Sequence, residues 1–181
     1  MSSDPDGLLV RRARRGDVDA FERLVERHGQ MLFTLAARVL GSQADAEDAV
    51  QEALIRAWSA LPRFRESARF STWLYRICLN CAYDVRSRRR AEPSDTMDER
   101  ADPRDPIAAG ELSGALQAAL DALEETYRVA VVMYDVLGCS YAEIAEATGV
   151  AEGTVKSRIF RGRRELAERL GTSVGEGGSN Q

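Results

Sequence analysis

Apolar residues in this 181-residue chain recur every three or four positions in long blocks, and nowhere do they alternate with a period of two for long enough to make a strand. Such a pattern dictates packed helices. Asp17 can cap a first long helix carrying Phe21, Leu24, Val25, His28, Leu32, Leu35, Ala36 and Val39 on one stripe, ending before Gly41. A second runs from about Ala44 to Leu61, with Val50, Ala53, Leu54, Ala57 and Leu61 inward, and stops at Pro62. A third starts after Ser71 or Thr72 and continues to about Arg89, burying Trp73, Leu74, Ile77, Cys81 and Val85. Val129 to Met133 is β-branched enough to suit a strand, but Leu112, Leu116, Leu120 and Leu123 precede it in helical register, so it is read as helix. The expected fold class is all-α.

The segment from Ser140 to Leu170 narrows this further. Ser140-Tyr-Ala-Glu143 is a capping box, Ile144 and Ala145 face inward, and Gly149 ends the short helix where a left-handed residue is needed. A new helix begins near Ala151-Glu-Gly-Thr154, with Val155, Ile159, Leu166 and Leu170 on one stripe. At about 100° per residue, Ser157, Phe160, Arg161 and Arg164 fall on the opposite side, flanked by Lys156 and Arg158. This is the layout of a helix-turn-helix whose second helix enters the major groove. Phe160 on a polar face wants a cover, and a thymine methyl is one. Arginine beside it can bind guanine bidentately, while Lys156 and Arg158 can neutralise phosphates.

A net charge of −4 looks wrong for a nucleic-acid binder until its distribution is read. Between Arg63 and Arg90 there are eight arginines and only two acids, and from Val150 to Leu170 six basic residues and three acids. From Ala91 to Glu125 there are ten acids and only Arg100 and Arg104. Two basic surfaces separated by an acidic stretch suit a protein that grips DNA at two places. Residues 91–109, with Pro93, Pro103 and Pro106 and no apolar period, read as a flexible acidic linker. It divides a first small helical domain (1–90) from a second (110–170), and residues 171–181 read as a disordered tail. When extended, the linker reaches at most about 65 Å, close to two turns of B-DNA.

Several function classes are disfavoured. Three cysteines make no secreted disulfide framework, no signal peptide is evident, and no apolar run approaches the length that spans a bilayer, so a cytoplasmic, non-inserted protein is expected. His28 sits on an apolar stripe and reads as a core residue. Cys78-x-x-Cys81 would suit a thiol redox protein, yet Cys81 faces the core and no strand precedes the pair. No phosphate-cradling loop and no nucleophile–base arrangement occurs. Catalysis, a cofactor, a bound metal and a small-molecule substrate are therefore not expected.

The helix from Asp45 to Trp58 turns Asp45, Asp48, Glu52, Ile55, Arg56 and Ser59 outward, and an exposed isoleucine among acids suits a protein partner. The basic, aromatic stretch from Leu61 to Ile77 leads into a helix with Tyr75, Arg76, Leu79, Asn80, Tyr83, Arg86 and Arg90 on its outward side. Aromatic and arginine planes beside an amide suit an unpaired base better than duplex. With Asp-Ala-Glu-Asp-Ala-Val-Gln-Glu-Ala at 45–53, Phe-Ser-Thr-Trp-Leu-Tyr-Arg-Ile at 70–77, Ser-Tyr-Ala-Glu-Ile-Ala at 140–145 and Gly-Thr-Val-Lys-Ser-Arg-Ile-Phe-Arg at 153–161, the chain resembles bacterial RNA polymerase sigma factors of the extracytoplasmic-function (ECF) type. The resemblance covers about Leu8 to Leu170.

That resemblance implies a sigma-2 domain, then a sigma-4 domain, directing core polymerase to promoters. Asp45, Asp48, Gln51, Glu52 and Ile55 would dock on the β′ clamp helices, with the β flap as a further polymerase contact. Arg63, Phe64, Arg65, Ser71, Thr72, Tyr75, Arg76, Asn80, Tyr83 and Arg86 would open and read the −10 element. Lys156, Ser157, Arg158, Phe160, Arg161 and Arg164 would read the −35 element. An anti-sigma protein is the expected inhibitor. The alternative is a helix-turn-helix regulator that never docks on polymerase. The chain departs from the family where Glu124 and Ala151 replace common turn prolines, and where Gly162 stands on the packing stripe in place of the usual alanine. A helix-interior glycine costs about 1 kcal/mol.

Overall fold

The computed structural model describes residues 5–65, 68–91 and 114–175, with side chains as far as Gly171. All regular structure among them is helical. The expected linker, all but its first residue Ala91, lies outside the described residues, as do Glu66 and Ser67 of the basic loop.

The N-terminal half holds α1 (Gly7–Ala13), α2 (Val18–Leu40), α3 (Gln43–Ala60), a 3-10 turn (Leu61–Arg63) and α4 (Phe70–Ala91). Asp17 caps α2 through a hydrogen bond from Ala20 N, 3.1 Å long, and Gly41 closes it in the left-handed region. Its buried stripe contains Leu24, His28, Leu32, Leu35, Ala36 and Val39. Ser42 caps α3, accepting from Asp45 N. The inward face of α3 differs from expectation: Ala46, Ala49, Ala53 and Ala57 are fully buried, while Val50 and Leu54 are half-buried. α3 is wedged between α2 and α4, and only small side chains fit that close approach. His28 is a core residue, but a polar one, with Nε2 2.7 Å from Asp6 Oδ2 and the ring beside Phe70. Arg27 donates to the other Asp6 oxygen at 2.5 Å, so Asp6 pins the start of α1 onto α2.

The C-terminal half holds α5 (Gly114–Asp121), α6 (Glu125–Val131), a π-helical segment (Val132–Val136), α7 (Tyr141–Thr148) and α8 (Glu152–Gly175). The β-branched stretch is helix, as read, but the leucine register breaks at 122–124, where Glu124 is extended. α8 runs through Gly175, beyond the expected limit at Leu170, because Gly171 keeps a right-handed backbone and no proline follows.

The halves touch. α2 meets α5 and α6, and α4 meets α7. Polar groups cross this seam: Arg38 Nη1 donates to Gln117 Oε1 at 2.8 Å, and Arg128 Nη1 donates to the Val39 carbonyl at 2.7 Å. Arg128 is buried and also donates to the Asp121 and Leu123 carbonyls. A guanidinium there meets the negative end of the α2 dipole as well as an orphan carbonyl. Burial draws Arg128 below its ordinary pKa, and nearby Arg86 adds to that.

Candidate nucleic-acid and protein interfaces

α8 is held by its apolar side. Val155, Ile159, Gly162 and Leu166 are buried, and the helix packs on α5, α6 and α7. The capping box is formed in full: Ser140 Oγ accepts from Glu143 N at 3.2 Å, and Glu143 Oε2 accepts from Ser140 N at 2.8 Å. Gly149, at φ +72°, turns the chain from α7 into α8 with a backbone that other residues rarely adopt. Gly162 has a different reason to be glycine. A Cβ there would lie 2.7 Å from Val131 Cγ2 and 3.3 Å from Tyr127 Cβ, so its bare backbone lets α8 lie flush on α6.

With that face buried, Lys156, Ser157, Phe160, Arg161 and Arg164 are exposed, and Arg158 is half-buried. Phe160, 69% exposed, is the most open of the large apolar residues among those described. Ser157 Oγ donates to the Thr154 carbonyl at 2.9 Å, Arg161 Nη1 to the Tyr127 hydroxyl at 3.3 Å, and Arg164 pairs with Glu168 at 3.7 Å.

The basic face of α4 is built differently from the sequence expectation. Arg63, Arg65, Arg76, Asn80 and Tyr83 are exposed, with Ser71 and Arg86 half-buried. Phe64, Thr72 and Tyr75 are buried, at 4%, 1% and 5% exposure. Phe64 belongs to an aromatic cluster with Phe70 and Trp73, which anchors the loop instead of presenting a ring to solvent. Tyr75 donates to Met31 Sδ at 3.4 Å, and burial pushes its phenol up to about 12. Leu79, expected outward, is also buried. The second half reaches the arginines of this face. Arg69 Nη1 is 2.8 Å from Glu143 Oε1, Arg76 donates to the Glu146 carbonyl, and Arg86 lies 3.7 Å from Glu125. A cleft of about 400 Å³ remains between Tyr83, Arg86 and Arg90 of α4 and Glu125, Val150 and Arg158 opposite. Arg158, expected on the α8 groove face, thus looks toward α4.

The five expected docking residues line one groove of about 500 Å³, in which Val85, Arg88 and Arg89 of α4 form the other wall. Ile55 in this groove is 57% exposed. Arg89 Nη1 lies 2.6 Å from Asp45, and Arg56 bridges Glu52 at 2.7 Å and Asp84 at 2.8 Å. The acidic face is therefore partly neutralised from within, and the share that comes from Arg89 of α4 is one that periodicity in α3 could not reveal.

The cysteines are free thiols in the interior. Burial pushes Cys78 up to about 12 and Cys139 up to about 11, and raises Cys81 as well. Protonated at neutral pH, they lack the thiolate that redox chemistry needs. Among the described residues no cluster of His, Cys, Asp and Glu could hold a metal ion, and no helix is long and apolar enough to cross a membrane.

Comparison with known proteins agrees with this division. Residues 24–92 match the family model for sigma-70 region 2, and residues 113–166 match that for sigma-70 region 4. The ECF RNA polymerase sigma factor SigM of Mycobacterium tuberculosis is 40% identical over 166 residues, spanning 92% of this chain and 85% of that one. Among solved structures, CnrH in complex with the cytosolic domain of CnrY superposes with a TM-score of 0.73 at 32% identity, over 92% of this chain and 97% of that one. The sigma factor RpoE of Bartonella quintana, in complex with the anti-sigma factor NepR, gives a TM-score of 0.66 at 26% identity, over 83% and 96% of the two chains.

Proposed function

Because the chain belongs to the ECF RNA polymerase sigma factors and recognises promoters in concert with core polymerase, we propose that α8 reads the −35 element through Lys156, Ser157, Phe160, Arg161 and Arg164. The observation that carries this reading is the division of α8 into a fully packed face and an opposite face that is basic, aromatic and open. Phe160 meets a thymine methyl, and Arg161 meets a guanine edge. Residues 1–90 form the sigma-2 domain and residues 110–170 the sigma-4 domain, joined by the acidic stretch.

The −10 element is opened and read by Arg63, Arg65, Ser71, Arg76, Asn80, Tyr83 and Arg86. Phe64, Thr72 and Tyr75 support that face from beneath. Unpairing and unstacking a base costs a few kcal/mol, which the arginines and a fitted pocket offset. Arg69, Arg76 and Arg86 are engaged by the second half, so −10 reading exchanges these contacts for contacts with the opened strand. Asp45, Asp48, Gln51, Glu52 and Ile55 form the docking groove for the β′ clamp helices, and exchange of Arg56 and Arg89 for partner cations frees the carboxylates.

An anti-sigma protein restrains the chain in the cytoplasm. Supporting this, the similar RpoE structure is a complex with an anti-sigma factor, and the CnrH structure holds a cytosolic domain of CnrY. Run-off transcription with purified core polymerase tests the whole. Promoter-specific transcripts that depend on this chain are expected, and duplex binding at full strength without polymerase would return the reading to a free-standing helix-turn-helix regulator.

A further inference from the structure

The two flanks of the outer face of α8 are tied down by different tyrosines. At about 100° per residue, Ser157, Phe160 and Arg164 hold the middle of that face. Arg161 lies on the flank toward α6, and Lys156 and Arg163 lie on the flank toward α7 and the π-helical segment. On the first flank, Arg161 Nη1 donates to the Tyr127 hydroxyl at 3.3 Å. Gly162 next to it brings the Tyr127 Cβ within contact range of α8, so Tyr127 cannot drift from the helix it serves. On the second flank, Tyr134 and Tyr141 stack with centroids 4.9 Å apart and planes 5° from parallel. Lys156 Nζ sits 5.3 Å from the Tyr141 centroid, and the Arg163 guanidinium 5.0 Å from that of Tyr134. Asp135 accepts from Arg163 through both carboxylate oxygens, with Nε to Oδ2 at 3.0 Å. The result is a ladder: Asp135 fixes Arg163, which braces Tyr134 and Tyr141, which hold Lys156.

We infer that Tyr127 and Tyr141 are positioning residues for −35 recognition, Tyr127 aligning Arg161 for base edges and Tyr141, backed by Tyr134 and Arg163, holding Lys156 for phosphate. The inference rests on the proposal that α8 reads the −35 element. Long cationic side chains lose rotamer freedom when they bind DNA, and a side chain already held in place loses less. A hydroxyl that accepts one N–H of Arg161 leaves the other donors of its fork for the groove. A ring face attracts the Lys156 ammonium without neutralising it, so its charge remains available to phosphate.

The test is transcription by reconstituted holoenzyme across a −35 element in which each base pair is replaced in turn. Tyr127→Phe keeps the ring and removes the hydroxyl. It should lower discrimination about three- to tenfold at the one base pair that Arg161 reads, and leave other positions and the thermal midpoint unchanged. In an Arg161→Ala background it should add nothing. Tyr141→Leu should weaken binding about two- to fivefold at every −35 sequence alike, and Tyr141→Phe, which restores the ring, should recover it. A flat response to Tyr127→Phe, where Arg161→Ala does lose discrimination, overturns the positioning role and spares the −35 reading. An Arg161→Ala scan that matches the parent protein sinks both.

Discussion

The outer faces of α4 and α8 are both arginine-rich, both carry aromatic residues, and meet opposite fates in the fold. α8 leaves Phe160 and Arg161 open to solvent. α4 has Tyr75 and Leu79 buried, and its Arg76 and Arg86, with Arg69 just before the helix, are engaged by α6 and α7. Periodicity shows which side of a helix turns away from its own core. It does not show whether a second unit lies on that side. On the proposed reading, the face for duplex stands open, while part of the face for opened strand is in contact with the second half.

The largest effect is expected at the open face. Arg161→Ala should cost about 1–3 kcal/mol of −35 recognition, read as the shift in half-saturating promoter concentration. At the docking groove, Asp48→Lys combined with Glu52→Lys should weaken assembly with core polymerase by tenfold or more, since two attractions become repulsions. Circular dichroism should show the helices intact, and unimpaired assembly would remove this groove as the docking face. The covered face is probed by Glu125→Gln with Glu143→Gln. Glutamine at 143 preserves the capping box and removes the charge that Arg69 meets. Exposed pairs are worth about 0.2–1 kcal/mol each, so free protein should bind −10 single strand a few-fold more tightly. No change would mean that the α4 face is not covered in solution.

Two smaller effects are expected in the interior. Gly162→Ala gains about 1 kcal/mol of helix propensity but forces a methyl against Val131, which costs about 1–3 kcal/mol. The thermal midpoint should therefore not rise, and a clear increase would show that α6 and α8 part freely. For Cys78, the folded thiol titrates near 12, well above the value of about 8.5 in an unfolded chain. Below the lower value both states are protonated and stability is untouched. As pH climbs from there toward 12 the unfolded state ionises first, so stability should fall across that window. A Cys78→Ala chain should lose less over the same range in denaturant titrations.

Much of the fold was legible because its signals are short-ranged. Asp17 capping α2, the Ser140–Glu143 box and left-handed Gly149 each depend on neighbours within four residues, and each stands where the pattern put it. The stripe of α8 was readable for the same reason. What escaped involves partners far along the chain. Asp6 pairing with His28 spans 22 positions, and Arg69 with Glu143 spans 74. Gly162 read as a local weakness because helix propensity is a property of one strand of sequence, whereas its use is to admit α6. Tyr127 and Tyr141 carried no signal of their own. A tyrosine half in a core is ordinary, and only the position of Arg161 and Lys156 gives it a task.

By itself, the order of residues determined an all-helical chain with a groove-reading second helix, since turns of helix and their caps are set by side chains one turn apart. Only the tertiary structure sets Arg76 and Arg86 of α4 against the second half, places Arg128 at the end of α2, and gives Arg161 and Lys156 of α8 their tyrosine partners. The physical reason is distance: burial and charge pairing depend on surfaces that meet only once the helices have been laid against one another, and no local pattern records that meeting.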